Sequence, residues 1–132
     1  MKNNIETIQQ IYACFGTGDI PGILDRLTED ATFEHNGKFP WSGRFEGKSN
    51  IATFFQLLGA NAAVTAFLPS NFRMEGTEVV NDCRFEAVAA TNGKPFGYDL
   101  TMSWNFDEQG NPTSYIGLAD ESQLPAAEAC YQ

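Results

Sequence analysis

The sequence predicts an α+β fold in which three N-terminal helices pack on a curved antiparallel sheet. Up to Gly59, apolar side chains recur every three or four positions, which is typical of helices with one buried face. Beyond Gly59, apolar and polar side chains alternate, as they do in half-buried strands. The pair Asn92-Gly93, a strong hairpin signal, joins two of these strands. We expect one domain over residues 1–132, long enough to fold without a disulfide or a metal.

The first predicted helix runs from about Asn4 to Phe15 and is stopped by Gly16 and Gly18. A second helix follows at once, with Asp19 as its N-cap and Pro21 in its first turn, where the missing N–H costs little. The stripe that the first helix buries is Ile5, Ile8, Ile11, Tyr12 and Phe15.

A short strand containing the only histidine is predicted after the second helix. Ala31, Phe33 and His35 fall on one face of this strand, while Thr32 and Glu34 fall on the other. His35 is therefore expected to point inward beside Phe33. It is either a buried histidine bonded to backbone or a general acid or base, because imidazole changes its charge near neutral pH.

Residues 36–48 are predicted to form a loop that carries three aromatic side chains, Phe39, Trp41 and Phe45. These rings either plug the end of the core or form a movable lid over a pocket. The third helix follows over about Ser49–Leu58, with Ser49 or Asn50 as its cap and Gly59 as its stop.

The remaining chain is predicted to be strands and a tail. Ser122–Gln132 is a tail expected to cover one end of the fold. The segment Phe96–Phe106 has an apolar or aromatic residue at every second position, so one of its faces is buried. Long strands twist, and a twisted sheet can curl around the helices. The predicted strands are Val64–Glu75, Glu78–Thr91, Phe96–Phe106 and Thr113–Glu121.

The concave face of such a sheet is either solid core or the wall of a pocket for an apolar small molecule. We expect a pocket, because small residues on this face lie opposite aromatic ones. The candidate ligand-binding residues are Tyr12, Phe15, Phe33, Trp41, Phe55, Cys83, Phe85, Met102, Trp104, Tyr115 and Ala119.

Charge and composition exclude several classes of partner. The net charge of −9 argues against nucleic acid and against anionic membrane surfaces, and no apolar run reaches the ~18 residues of a membrane span. The N-terminus lacks the apolar core of a signal peptide, so a cytoplasmic location is expected. Cys14, Cys83 and Cys130 have unrelated spacings and are expected to be reduced thiols. No metal site and no cofactor are predicted.

Five short segments follow one another in a characteristic order and spacing: Gly18-Asp19-Ile20, Glu29–Glu34, Gly43–Gly47, Asn92-Gly93 and Phe106–Gly110. With them, the chain resembles the NTF2-like superfamily, in its ketosteroid-isomerase-related and SnoaL-like branch. The resemblance covers about residues 5–121. It implies a cone of curved sheet and helices around an apolar pocket, commonly dimeric through the outer face of the sheet. The functions that it implies range from isomerases, dehydratases and cyclases to non-catalytic modules.

Matching with steroid isomerases implies a catalytic role for His35, which falls at the position of their general-base aspartate. Their oxyanion-stabilising tyrosine falls on Ile11, with Tyr12 one residue away and expected to be rotated out of the site. Their protonated acid falls on Met102. Because two of the three groups are missing, steroid isomerase activity is not expected. The open alternatives are an isomerase, dehydratase or cyclase that uses His35, a non-catalytic binding protein for an apolar ligand, and a dimerisation module.

Overall fold

The computed structural model describes residues 3–131 as one six-stranded sheet with three helices packed on it and a fourth, short helix near the C-terminus. The strand order is β2-β1-β6-β5-β4-β3. All neighbouring strands are antiparallel except β1 and β6, which are parallel. The predicted fold class is confirmed. The helices are α1 (Asn4–Thr17), α2 (Ile20–Asp25), α3 (Lys48–Asn61) and α4 (Leu124–Glu128). The strands are β1 (Thr32–His35), β2 (Gly43–Glu46), β3 (Ala62–Glu75), β4 (Glu78–Ala89), β5 (Pro95–Phe106) and β6 (Pro112–Ala119).

The junction between α1 and α2 follows the predicted capping signals. Helix α1 continues through Gly16 and ends at Gly18, whose φ of 75° is left-handed and suits a residue without a side chain. The carboxylate of Asp19 then accepts a hydrogen bond of 3.0 Å from the backbone N–H of Gly22 and caps α2. This tight connection lets both helices lie against the same face of the sheet.

The structure corrects the sequence prediction around the third helix. Gly43–Glu46 is not loop but strand β2, which pairs with β1. Helix α3 begins at Lys48 after Gly47, and no side chain caps it, so neither Ser49 nor Asn50 has the predicted role. Gly59 does not stop the helix, which runs on to Asn61.

The long strands follow the predicted pattern of alternating burial. In β5, Phe96, Tyr98 and Trp104 are buried and face the helices. Residues 90–91 and 120–121 lie beyond the ends of β4 and β6, although the sequence assigned them to strands. Bulges interrupt the pairing of β3 with β4, between Val64 and Ala66 and again between Ser70 and Arg73. Such irregularities increase the local twist of a sheet.

The C-terminal segment covers one end of the core, as predicted for the tail. Helix α4 and the 3-10 turn Ala129–Tyr131 bury Leu124, Ala127 and Cys130. The hydroxyl of Tyr131 donates a hydrogen bond of 2.9 Å to the carbonyl of Asn61. None of the helices formed by residues 3–131 is long and apolar enough to cross a membrane.

Candidate functional site

A cavity of about 70 Å³ lies between the helices and the concave face of the sheet. Most of its wall is aromatic, because the buried faces of α1, α3, β1 and β5 all carry rings there. The candidate residues that line it are Tyr12, Phe15, Phe33, His35, Trp41, Phe55, Phe85, Met102, Trp104 and Tyr115.

Two candidate residues do not line the cavity. Cys83 is buried in β4, and burial raises the pKa of its thiol to about 12, so it stays protonated. Ala119 is buried at the end of β6, where its backbone N–H donates a hydrogen bond of 2.8 Å to the side-chain oxygen of Asn36.

The cavity wall also contains residues that the sequence analysis did not single out. Phe54 and Leu58 belong to the same helical stripe as the candidate Phe55, and Tyr98 belongs to the same strand face as Met102. Those periodicities could have identified them. Phe67 could not be assigned in this way, because the bulge beside it shifts the alternation along β3. The other wall residues are Ile11, Ile23 and Leu100.

His35 and Tyr115 form the hydrogen-bonded pair that the cavity holds. His35 Nε2 lies 2.9 Å from the hydroxyl oxygen of Tyr115, on neighbouring strands. The imidazole stacks on the ring of Phe54 with centroids 4.9 Å apart. His35 as a residue is only half-buried, but its Nδ1 is enclosed and has no hydrogen-bond partner among residues 3–131. The orientation agrees with the strand-parity prediction that His35 points inward.

Burial governs the titration of both members of this pair. Removal from water lowers the pKa of His35 to about 4, because the charged imidazolium is disfavoured in an apolar surrounding. The same cause raises the pKa of Tyr115 well above its ordinary value. At neutral pH the pair is therefore an uncharged imidazole bonded to an uncharged phenol.

Tyr12 occupies a second polar cluster in the cavity wall, and the expectation that it is rotated away is wrong. Its hydroxyl donates a hydrogen bond of 2.7 Å to Asn81 Oδ1 and accepts one of 2.8 Å from Trp104 Nε1. Asn81 is fully buried, and its Nδ2 donates to the carbonyl of Asp82 at 2.9 Å. Burial raises the pKa of Tyr12 far above its ordinary value. This cluster is saturated within the protein.

The three aromatic residues predicted as a plug or lid do not form one unit. Phe39 and Trp41 are buried and stack on each other with centroids 4.9 Å apart. Tyr131 from the C-terminal segment packs edge-on against both rings. Phe45 instead belongs to strand β2 and contacts Phe54. Phe39 and Trp41 thus close one end of the core, and Phe45 lies elsewhere.

No charged side chain lines the cavity in the part of the chain that the structure describes. Two carboxylates near the site in the sequence are exposed and paired with arginines instead: Glu34, on the face of β1 opposite His35, lies 3.8 Å from Arg44, and Asp99 of β5 lies 3.6 Å from Arg84. Within residues 3–131, no group of three or more His, Cys, Asp and Glu side chains is arranged to hold a metal ion. Cys14, Cys83 and Cys130 are free thiols.

Comparison with known proteins places this architecture in a family. The protein-family model described as SnoaL-like domain matches residues 8–114, which is most of the chain. The chain belongs to the SnoaL-like family. The NTF2-like and SnoaL-like resemblance seen in the sequence is thereby confirmed. No curated protein matches this sequence.

Three solved structures share the fold of this SnoaL-like chain. An NTF2-like protein from Burkholderia pseudomallei superposes with a TM-score of 0.84 at 22% identity, over 96% of this chain and 98% of that one. An NTF2-like protein from Burkholderia thailandensis gives a TM-score of 0.86 at 19% identity, over 100% and 99%. TerC, co-crystallised with polyporic acid, gives a TM-score of 0.80 at 25% identity, over 94% and 96%.

The positions matched to steroid isomerases contribute no acid to the cavity of this SnoaL-like protein. Ile11 and Met102 both line the cavity and are both apolar. The polar groups that remain are the His35–Tyr115 pair, the saturated Tyr12 cluster and the hydroxyl and indole groups of Tyr98 and Trp41. Of these, the His35–Tyr115 pair combines a titratable nitrogen with an unpartnered polar atom.

Proposed function

We propose that this SnoaL-like protein binds an apolar, largely aromatic small molecule and uses His35 as the proton acceptor in an isomerisation, dehydration or cyclisation. The observation that carries the proposal is the neutral imidazole of His35, bonded to Tyr115 in a cavity without charged walls. A general base must be unprotonated at working pH and within hydrogen-bond reach of the proton that it removes.

The hydrogen bonding of His35 suggests which atom of the pair accepts a proton and which one donates a hydrogen bond to the ligand. A buried N–H without an acceptor is rarer than a buried lone pair without a donor. We therefore assign the proton of the neutral ring to Nε2, which donates to the oxygen of Tyr115, and leave Nδ1 as the free base. In this arrangement the hydroxyl hydrogen of Tyr115 remains available to a ligand oxygen.

The proposed first step is removal of a proton from a carbon next to a carbonyl group. Nδ1 of His35 is enclosed in the structure, so the ligand has to displace the side chains around it before the C–H proton can move to Nδ1. The electron pair of that C–H bond moves to the carbonyl oxygen, and an enolate forms. The hydroxyl of Tyr115 donates a hydrogen bond to that oxygen, and this bond stabilises the charge more strongly among apolar walls than it would in water. Return of the proton from His35 to another carbon completes an isomerisation. In a dehydration the enolate expels a β-hydroxyl group, which takes the proton from His35 and leaves as water.

The aromatic character of the proposed ligand has support in the cavity wall. The cavity wall is dominated by rings, and rings pack favourably face to face or edge to face. TerC, which shares the fold and is 25% identical, was co-crystallised with polyporic acid, so a protein of this fold holds a small organic molecule. The aromatic character of the proposed ligand rests on the cavity wall of this chain.

Deuterium exchange into 2-tetralone, a bicyclic ketone with acidic α-hydrogens, tests the chemistry directly. In D2O the wild-type protein should accelerate loss of the α-hydrogen signal, followed by proton NMR. His35→Gln keeps size and polarity but removes the base, so it should lower the rate by about 100-fold or more. Tyr115→Phe keeps the base and should cost less. Exchange that His35→Gln leaves unchanged would refute the role of His35.

A non-catalytic binding protein is the second candidate function. It is favoured by the absence of the two acidic groups at Ile11 and Met102, which leaves the enolate with a single donor. In the same experiment this function predicts saturable binding of 2-tetralone, measured by calorimetry, without any deuterium exchange. If the protein shows neither binding nor exchange, the dimerisation module remains as the proposed function.

We also propose that the protein is a cytoplasmic homodimer. The outer face of the sheet exposes Leu118 by 54% and Leu68 by 59% of their surfaces, beside the polar residues Thr101 and Ser103. A surface that mixes apolar and polar groups suits a protein interface of moderate polarity. The three free thiols favour a reducing compartment.

A further inference from the structure

We propose that ligands reach the cavity between α1 and β3, through a gate formed by the rings of Phe15, Phe55 and Phe67, and that these rings set the size limit for the ligand. The inference rests on the proposed function, because it concerns the ligand of the same cavity. It differs from the sequence hypothesis, in which Phe39, Trp41 and Phe45 either plug the core or form the movable lid.

The cavity is too small for an aromatic ligand unless part of its wall moves. Its volume is about 70 Å³. A cavity of about 150 Å³ is the size known to accept one benzene ring. Any bicyclic ligand therefore has to displace side chains, and the wall that yields most easily decides both the route and the size limit.

The gate rings separate the cavity from an open groove on the surface. This groove, of about 790 Å³, runs between α1, the end of α3 and β3. Five residues line both the cavity and the groove, and their side chains lie between the two spaces: Tyr12, Phe15, Phe55, Leu58 and Phe67. Tyr12 is fixed by its hydrogen bonds to Asn81 and Trp104, and Leu58 is buried, which leaves the three phenylalanine rings as the movable part. Rotation of these rings would join the cavity to the groove without moving any backbone.

The gate rings are held by apolar packing and by no hydrogen bond of their own. Phe15 and Phe67 meet edge to face with centroids 4.9 Å apart, Phe67 also lies 5.3 Å from Tyr12, and Phe55 lies 5.0 Å from Phe54. All three residues are only partly buried. Strand β3 lies at the edge of the sheet, and the bulge between Val64 and Ala66 interrupts its pairing with β4 next to Phe67. A bulged edge strand moves more easily than a central one.

The opposite end of the core is closed by more structure. Phe39 and Trp41 stack there in parallel, with Tyr131 edge-on to both, and the C-terminal segment lies over them. The hydroxyl of Tyr131 is fixed to the carbonyl of Asn61. Passage at this end would require the C-terminal segment to detach, whereas passage at the gate requires only rotamer changes.

The groove also indicates the chemistry of the molecule that passes. Among the described residues that line it none is charged, and its polar side chains include Gln9 and Thr65, which are uncharged hydrogen-bonding groups. The cavity behind the gate is equally free of charged side chains. An uncharged flat ring system can therefore cross from groove to cavity without burying an unpaired charge, whereas a multiply charged ligand would lose its hydration and gain no charged partner.

Quenching of Trp104 by acrylamide tests the gate without requiring any ligand. Trp104 lines the cavity and is 2% exposed, and Trp41→Phe makes it the sole tryptophan. In that background, Phe67→Ala should raise the quenching constant about threefold or more, because the gate is opened. Phe39→Ala removes a ring of equal size at the closed end, outside the cavity wall, and should change it by less than about 1.5-fold. Urea unfolding verifies that each variant is folded.

Association of 2-naphthol, followed by stopped-flow fluorescence of Trp104, provides the second readout. Phe67→Ala should accelerate association about tenfold and Phe67→Trp should slow it, while Phe39→Ala leaves it unchanged within about twofold. Equal effects of the two alanine variants, or an effect of Phe39→Ala alone, in either readout overturn the gate. If wild-type protein shows no deuterium exchange with 2-tetralone while quenching still depends on Phe67, the proposed chemistry fails and the gate stands.

Discussion

His35 and Gly117 lie side by side on the parallel strands β1 and β6, and the side chain that Gly117 lacks would fill the space of the His35–Tyr115 hydrogen bond. A Cβ atom built on Gly117 would lie 2.7 Å from Nε2 of His35 and closer still to the hydroxyl of Tyr115. Separations under 3.0 Å are essentially never seen for a real Cβ. The absence of a side chain at residue 117 is thus what allows the imidazole and the phenol to meet.

Gly117→Ala should therefore separate His35 from Tyr115 and destabilise the fold. Forcing a methyl group into a packed interior costs about 1–3 kcal/mol. We expect urea unfolding at pH 7 to show a loss in this range, and the Nε2 proton signal of His35 to change in the NMR spectrum. The deuterium exchange of 2-tetralone should fall with it.

Gly59→Ala is the matched control for that substitution. Gly59 lies inside α3, has no atom within 4 Å of an added Cβ, and has an ordinary negative φ. Alanine favours a helix interior over glycine by about 1 kcal/mol. Gly59→Ala should be neutral or stabilising, and a loss of stability equal to that of Gly117→Ala would refute the steric argument.

The titration of His35 should be displaced far to the acid side. Burial lowers its pKa to about 4. The chain contains a single histidine, so its Hε1 signal is unambiguous in proton NMR. We expect this signal to stay constant from pH 8 to pH 5.5 and to shift only below that. A midpoint near the ordinary histidine value of about 6.5 would contradict the buried, neutral imidazole.

Stability should depend on His35 in the same acidic window. Because its folded pKa is below the unfolded value, the unfolded chain binds the proton first as pH falls below about 6.5. The stabilisation that comes from burying the neutral imidazole is therefore fully present above about pH 6.5 and is lost as the pH falls towards 4. The free energy of unfolding falls by about 3 kcal/mol in total. His35→Gln lacks this pH-dependent stabilisation but keeps all carboxylates, which titrate in both proteins. The difference in unfolding free energy between wild type and His35→Gln should shrink as the pH falls from 7 to 4.

Local patterns in the sequence predicted the parts of the site that depend on parity. The alternation in β5 placed Met102 and Trp104 on the buried face, and Phe33 indicated the direction of His35. These predictions succeed because a one-residue shift would expose the whole apolar set. The bond between His35 and Tyr115 could not be predicted, since it depends on the parallel pairing of two strands that are 80 residues apart.

Glycines explain most of the errors in the elements. Gly43 and Gly47 indicated a loop, yet with φ values of 107° and 85° they turn the chain into and out of strand β2. Gly59 indicated a helix end, yet the helix continues to Asn61, because the burial of Leu58 outweighs the weak helix propensity of glycine. The match to steroid isomerases suggested that Tyr12 was rotated out of the site, whereas the periodicity of α1 had correctly placed it with Ile11 on the buried stripe.

Tyr12→Phe should destabilise the protein although it removes a single oxygen atom. The change leaves Nε1 of Trp104 without an acceptor and Oδ1 of Asn81 without its donor, both in the buried core. A buried polar group without a partner costs about 1–3 kcal/mol. Urea unfolding should show a loss in that range.

Tyr131→Phe is the control for this loss. It removes a hydroxyl that donates to Asn61 at a half-buried position, and the carbonyl of Asn61 also accepts from the backbone N–H of Ala90. The expected cost is under about 1 kcal/mol. If both tyrosine variants lose the same stability, the Tyr12 cluster has no special contribution.

Leu118→Glu should dissociate the proposed homodimer. Leu118 is 54% exposed on the outer face of β6, opposite Thr101 of β5. The same surface depression carries three carboxylates and one cation, Arg84, which is already paired with Asp99. A further carboxylate at a two-fold interface would face its own copy and these acids, and burying unpaired charge is costly. Sedimentation equilibrium should give twice the 14.5 kDa chain mass for wild type and the single mass for Leu118→Glu.

Met74→Glu is the control. Met74 is 46% exposed on β3, but its strand parity places it on the face opposite to that of Leu118, so this variant should remain dimeric. Wild-type protein that sediments at 14.5 kDa across micromolar concentrations would exclude the dimer.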